Sequence, residues 1–191
     1  MINFFDLRNS ISGLFWYIIL MPFFQKIGKK SRIVKPLKIK GLNKIIIGEN
    51  VIINALSWLQ VEHTNGLLKI EDGTIIGHFN HIYAFKKIHI GKNVLTADKV
   101  YISDCIHTYN DINFPVMNQE VISLNEIKIG DHSWLGENVV IIGASVGKHC
   151  IIGSNSVVTN DIPDYSVAVG APARVIKRYD FDNKKWVKIS V

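Results

Sequence analysis

Cysteine is nearly missing from this chain of 191 residues: Cys105 and Cys150 are its two thiols, and neither a CxxC pair nor a Cys/His cluster accompanies them. That excludes a disulfide framework and fits a reducing compartment, so the expected location is the cytoplasm. No apolar run reaches the roughly 18 residues that a membrane-spanning helix needs. An export signal is lacking as well. The apolar stretch 11–24, ISGLFWYIILMPFF, has its positive charge after it rather than before, and no small-residue cleavage site follows. Acid is absent between Asp6 and Glu49. What remains is 48% hydrophobic and 20% charged, the composition of a folded chain. Its length predicts one compact domain able to bury a core without disulfides or metal.

The net charge of +6 is unevenly spread. Residues 1–50 hold nine Lys/Arg against two acids and 171–191 hold six against two, whereas 51–170 hold seven against twelve. A nucleic-acid binder would place positive charge on its folded body. Here the body is acidic and the ends are basic, which suits anionic lipid headgroups, a phosphorylated small molecule, or simply a solubilising surface. The first thirty residues read as an apolar helix that Pro22 bends or ends. Lys26, Lys29, Lys30, Arg32, Lys35, Lys38, Lys40 and Lys44 follow it. This segment is expected either to contact the inner face of the plasma membrane peripherally or to pack on the core or an oligomer seam.

An internal repeat is the strongest signal. Aliphatic residues recur at Ile129, Leu135, Ile141, Val146, Ile152 and Val158, with gaps of six, six, five, six and six. Glycine follows four of them, at Gly130, Gly136, Gly147 and Gly153. The pattern returns at Ile90, Thr96 and Ile102, at Ile70, Ile76 and Ile82, and at Ile47 and Ile53. A period of six fits neither a 3.6-residue helix nor a simple hairpin sheet. It predicts short strands joined by tight corners, with the aliphatic residue inward and a small residue permitting close approach behind it. Three hexads close a triangular coil of about 18 residues, and successive coils stack as parallel strands. The expected fold is all-β, about six coils of parallel β-helix over 31–170, with an N-terminal helical segment (1–30) and a C-terminal tail (171–191). Departures from the repeat must leave the coil as loops. One lies near 60–69, another near 84–89, and the largest at 108–126, TYNDINFPVMNQEVISLNE, where amides beside Tyr109 suit a carbohydrate.

The stretch WLGENVVIIGASVGKHCIIGSNSVVTNDIPDYSVAVGAPARVIK resembles the hexapeptide-repeat acyltransferases, and more narrowly their galactoside and polysaccharide O-acetyltransferase branch. The resemblance covers most of 40–180 and implies a left-handed parallel β-helix, a homotrimer, and sites between neighbouring coils. It also implies acetyl-CoA as co-substrate, without a metal. The segment 101–111, YISDCIHTYND, is similar to the family's active-site coil and makes His107 the expected general base. By phase, His107 is Ile102 plus five, an outward position shared with His81 and Trp134. A regular coil would stack His89 beneath His107.

The implied chemistry is acyl transfer from a thioester to a hydroxyl. A neutral imidazole removes the proton of the attacking hydroxyl, backbone N–H groups hold the oxyanion, and the imidazolium protonates the departing thiolate. Cys105 is a conceivable nucleophile. A carboxylate commonly orients the imidazole; Asp104 is the first candidate, Asp111 and Glu126 the others. The resemblance further assigns the thioester and pantetheine to Gly136, Glu137, Ser154 and Thr159, and the coenzyme A phosphates to Arg174 and Lys177. Asn160 stands where the family usually has a lysine. Trp134, Tyr109, Asp111 and His81 are the expected acceptor contacts. The tail VIKRYDFDNKKWVKISV predicts a hairpin turning at Asp182-Asn183 and resembles that of O-antigen and capsule acetyltransferases. Two other readings share the fold: N-acylation of a nucleotide-linked amino sugar, and a γ-type carbonic anhydrase or non-catalytic trimeric scaffold. The zinc site would draw on His78 and His81.

Overall fold

A computed structural model describes residues 4–189, with side chains from Ile11 onward. Residues 1–3 and 190–191, the outer ends of the expected N-terminal segment and tail, lie outside the described residues. The chain winds repeatedly through three parallel sheets that form the walls of a β-helix. The first wall holds Lys26–Ile27, Ile45–Ile47, Leu67–Ile70, Lys87–Ile90 and Ile127–Ile129, prolonged by single bridges at Val146 and Ile162. The second holds Arg32–Ile33, Ile52–Ile53, Ile75–Ile76, Leu95–Thr96, Trp134–Leu135, Ile151–Ile152 and Ser166–Val169. The third holds Lys38–Lys40, Trp58–Val61, His81–Ala84, Tyr101–Ser103, Val140–Ile142 and Val157–Val158.

Each residue that the repeat assigns inward, from Ile47 to Val158, is at most 1% exposed. Every such aliphatic side chain contributes about 2 kcal/mol of burial, and the stack gathers them into one core. The coils are not uniform. Register partners on the second wall are 20, 23 and 20 residues apart before residue 100 (Arg32, Ile52, Ile75, Leu95). They are 17 and 16 apart in the last coils (Trp134, Ile151, Val167). The surplus sits in the corners after the third wall, such as the turn in which the Gly66 N–H donates to the His63 carbonyl at 2.8 Å.

Polar side chains fasten neighbouring coils. Ser31, Thr74 and Ser133 are buried hydroxyls, each donating to a glycine carbonyl of the following coil and accepting an N–H from it. Asp72, Asp131 and Asp164 accept N–H groups of Glu49, Lys92 and Lys148 in the coil before. At Gly130 the approach is so close that a Cβ would collide with the backbone of Gly147 and Lys148, which is why the repeat needs glycine there.

The helix runs Phe4–Leu20 and gives way to a short 3-10 turn, Met21–Phe23, at Pro22. It lies against the first coil, with buried Gly13 touching Arg32 and Val34, and with Trp16 and Leu20 packed on the core. The first strand already begins at Lys26, inside the segment expected to be helical. At the other end Arg174–Asp180 turns back antiparallel on Ser166–Val169 and forms a hairpin with Lys185–Lys188. The Asp180 carboxylate accepts the N–H groups of Asp182 and Asn183 and holds the hairpin turn.

Candidate active site

After Ser103 the chain leaves the third wall. Cys105–His107 pairs antiparallel with Val121–Ser123, forming a two-stranded arm that projects from the coil. The departure therefore starts at residue 104, not at 108 as expected. For the same reason His107 does not stack over His89. His89 sits in the first wall between Lys69 and Lys128, and its Nε2 is 2.7 Å from the Glu71 carboxylate. The repeat phase misleads here because Asp104, one position before the arm, is taken out of the six-residue pattern by a tertiary bond.

Asp104 is fully buried. Its two oxygens accept the backbone N–H groups of Phe85, Lys86 and Lys87 at 2.5, 2.8 and 2.7 Å. Its expected role as the carboxylate that orients His107 is therefore corrected: it clamps the corner beneath the arm. The alternatives are engaged elsewhere too. Asp111 accepts from the Asn113 backbone and side-chain amides within the loop, and Glu126 pairs with Lys87 at 2.8 Å. His107 makes no hydrogen bond or ion pair among the described residues, and its side chain is exposed.

Between arm and wall lies a cavity of about 420 Å³, lined by His81, Tyr83, Tyr101, Cys105, Ile106, His107, Val121 and Ile142. Two of the expected site residues, His107 and His81, thus share one cleft. His81 stacks on Trp58 with ring centroids 4.3 Å apart and meets Tyr101 at 5.1 Å. Its Nε2 is buried without a hydrogen-bond partner. Burial, and secondarily the Lys38 ammonium, push its pKa below the usual imidazole range, so the ring is neutral at pH 7. Burial also raises the Tyr83 phenol, which keeps its proton. The Cys105 thiol is 7% exposed and pushed up by burial, with the Asp104 charge adding and a Ser103 hydrogen bond opposing. A thiol held protonated in this way is a poor nucleophile, which weighs against covalent catalysis at Cys105.

Trp134, Tyr109 and Asp111 do not reach this cavity within the chain. Trp134 is 48% exposed on the second wall, between Leu95 and Ile151, and Tyr109 is 68% exposed on the loop. The expected coenzyme A residues lie towards the last coils. The Gly136 N–H is already bonded to the Ile152 carbonyl at 2.8 Å, and a Cβ there would press on Ser154. Gly136 is thus required for the close packing of these two coils. The next amide, that of Glu137, has no backbone partner among the described residues, while the Glu137 side chain pairs with Lys99 at 3.1 Å. Ser154, Thr159, Asn160 and Arg174 are exposed, and among the described residues the Thr159 hydroxyl bonds only to neighbouring Asn160. The Arg174 guanidinium donates only to the adjacent Ala173 carbonyl, and Lys177 has no carboxylate partner among the described residues. Both charges are available to an anion.

Tyr83 and Tyr101 line the cavity although sequence reasoning had not singled them out. The signal was there for Tyr83: it directly follows inward Ile82, where the repeat favours glycine or another small residue. For the zinc reading, His78 Nδ1 turns to Asp98 at 3.2 Å while His81 lies on Trp58, so the two do not converge.

A family model described as bacterial transferase hexapeptide (six repeats) matches residues 126–160. WbbJ of Escherichia coli K12, assigned by its name to lipopolysaccharide biosynthesis as an O-acetyl transferase, is 30% identical over 168 residues, covering 84% of this chain and 85% of that one. The chain belongs to the hexapeptide-repeat acetyltransferases. A Mycobacterium tuberculosis protein named as an acetyltransferase, Rv3034c, is 42% identical over 127 residues; the match spans 63% of this chain and 42% of that relative's length. Among solved structures, a maltose O-acetyltransferase from Clostridium difficile 630 is 29% identical with a TM-score of 0.52, covering 85% and 74% of the two chains. AntD, an N-acyltransferase from Bacillus cereus solved with dTDP and 3-hydroxybutyryl-CoA, shares the fold at TM-score 0.72 and 19% identity over 87% and 89%.

Proposed function

We propose that the protein transfers an acetyl group from acetyl-CoA to a sugar hydroxyl of a surface polysaccharide, of O-antigen or capsule type, at the stage of a lipid-linked or nucleotide-linked precursor in the cytoplasm. The reading rests most on one observation: His107 ends the first strand of an arm and lines, with Tyr83 and Tyr101, a cleft beside the buried Cys105. His107 Nδ1 or Nε2 takes the hydroxyl proton as the sugar oxygen bonds to the acetyl carbon. The carbon–sulfur bond then breaks, and the same proton goes to the leaving thiolate. No acyl-enzyme is needed.

The free Glu137 N–H suits the thioester carbonyl, Ser154, Thr159 and Asn160 the pantetheine path, and Arg174 and Lys177 the phosphates. Acetyl-CoA supplies the activated acyl group when bound. Within one chain Trp134, Arg174 and Lys177 lie in the second-wall sheet and Glu137 and Ser154 just after its strands, while the arm leaves the third wall; this supports a homotrimer in which one subunit's last coils face the next subunit's His107. O-acylation is preferred over N-acylation because the relative covered along most of both chains is named for O-acetyl transfer, whereas the N-acyltransferase shares the fold alone. Mass spectrometry of the cell's surface polysaccharide, with and without the gene, tests the proposal. Loss of an acetyl ester from the repeat unit is expected; an unchanged ester content with a lost N-acyl group would overturn it.

A further inference from the structure

The helix Phe4–Leu20 has two faces that the fold treats differently. Gly13, Trp16 and Leu20 seat it on the first coil. Ile11, Leu14, Phe15, Ile18 and Ile19 point away and are 43–62% exposed, continued by Met21 and Phe23. A row of large apolar side chains of this extent is unusual on a protein surface in water and marks a contact face. The helix is 17 residues long and no helix of the described residues is long and apolar enough to cross a membrane, so any lipid contact is made lying flat.

The charge around it names the occupant. Lys26, Lys29, Lys30 and Lys35 are exposed, and none has a carboxylate partner among the described residues. Further along the coils most lysines are paired: Lys69, Lys87, Lys92, Lys99 and Lys148 meet Glu71, Glu126, Asp72, Glu137 and Asp164, while Lys86 and Lys128 have no carboxylate partner among the described residues. Lys30 and Arg32 share the wall of an open groove of about 590 Å³ with Ile11, Leu14 and Tyr17, so cation and apolar face are contiguous. Unneutralised lysines beside an outward apolar face complement a surface that is anionic at its headgroups and apolar just beneath.

We infer that the outward face of the helix, with the lysines of the first coil, is a docking surface for an anionic lipid bilayer. It holds the first coil at the membrane and leaves the His107 arm and the last coils in water. The inference does not depend on the acyl-transfer reading, because vesicle binding requires neither acetyl-CoA nor acceptor.

Flotation of the full chain with vesicles tests it. The chain should float with mixed phosphatidylglycerol–phosphatidylcholine vesicles and stay behind with pure phosphatidylcholine. The combined variant Leu14→Glu, Phe15→Glu, Ile18→Glu should lower the bound fraction at least about 10-fold, and Lys26→Glu, Lys29→Glu, Lys30→Glu should do the same. Lys184→Glu, Lys185→Glu, Lys188→Glu, an equal charge change on the tail hairpin, should leave flotation within about twofold. Light scattering should give one oligomeric state for all of them. Failure of the wild-type chain to float, survival of flotation in either helix-side variant, or equal loss in the tail variant would overturn the inference. So would a change of oligomeric state in the helix variant, since the face would then be a seam between copies of the chain.

Discussion

The coils and the arm are built on opposite terms. In the coils the inward aliphatic residues are sealed, buried hydroxyls bond forward to the next coil, and aspartates bond back to the one before. In the arm, the exposed His107 side chain has no hydrogen bond or ion pair among the described residues, and the loop beyond it exposes Tyr109, Ile112 and Met117. Stability therefore resides in the repeat, and the proposed chemistry in the departure from it. Asp104 is the joint between the two: it looks like part of the site in sequence and serves the coil in structure.

Replacing that joint is the strongest way to break the contrast. Asp104→Ala leaves three backbone N–H groups of residues 85–87 without an acceptor in a buried place. At about 1 kcal/mol or more for each, the loss of stability should reach about 3 kcal/mol. Thermal unfolding should show a clearly lowered midpoint. An unchanged midpoint would mean that the clamp is not what holds the arm's root.

The next effect concerns the far end of the coils. Arg174→Glu or Lys177→Glu should raise the KM for acetyl-CoA about tenfold while leaving the acceptor KM nearly unchanged, since charge-assisted contacts contribute about 1.5–3 kcal/mol. The effect should shrink in high salt. A shift in the acceptor KM instead would place the donor elsewhere.

A smaller effect separates His81 from His107. His81 has a depressed pKa in the folded state because of burial and Lys38, so the unfolded chain binds its proton more readily. Its contribution is therefore full above the ordinary imidazole value of 6.5 and falls as pH drops below it. Denaturant unfolding between about pH 7 and pH 5 should show this loss in the wild-type chain, and His81→Phe should flatten it. An identical pH slope in the variant would show that the ring is not held neutral by its surroundings.

Much of this contrast was legible in the residues themselves. A six-residue period is dictated by local geometry, so the inward set from Ile47 to Val158 and the glycine at Gly130 followed from spacing alone. Helix termination at Pro22 and the hairpin tail are likewise local. Coil length was not legible, because extra residues in a corner leave the inward phase intact on either side. Nor was the root of the arm: CIHTY continues the apolar alternation of YIS, and only the distant amides of Phe85 to Lys87 reveal that Asp104 ends the coil. The cleft itself was half legible. His107 came from the resemblance of its segment and His81 from its outward phase, but Tyr101 and Ile142 reach it only because the third wall stacks their strands side by side.

The central claim is that the exposed imidazole of the arm, and not the buried groups around it, activates the acceptor. It is tested most directly by thiol release from acetyl-CoA with the acetyl-accepting saccharide, comparing the wild-type chain with His107→Ala. The account predicts a fall in kcat of at least about 10²-fold, with the unfolding midpoint and the affinity for coenzyme A unchanged. Turnover of His107→Ala close to that of the wild-type chain would contradict it.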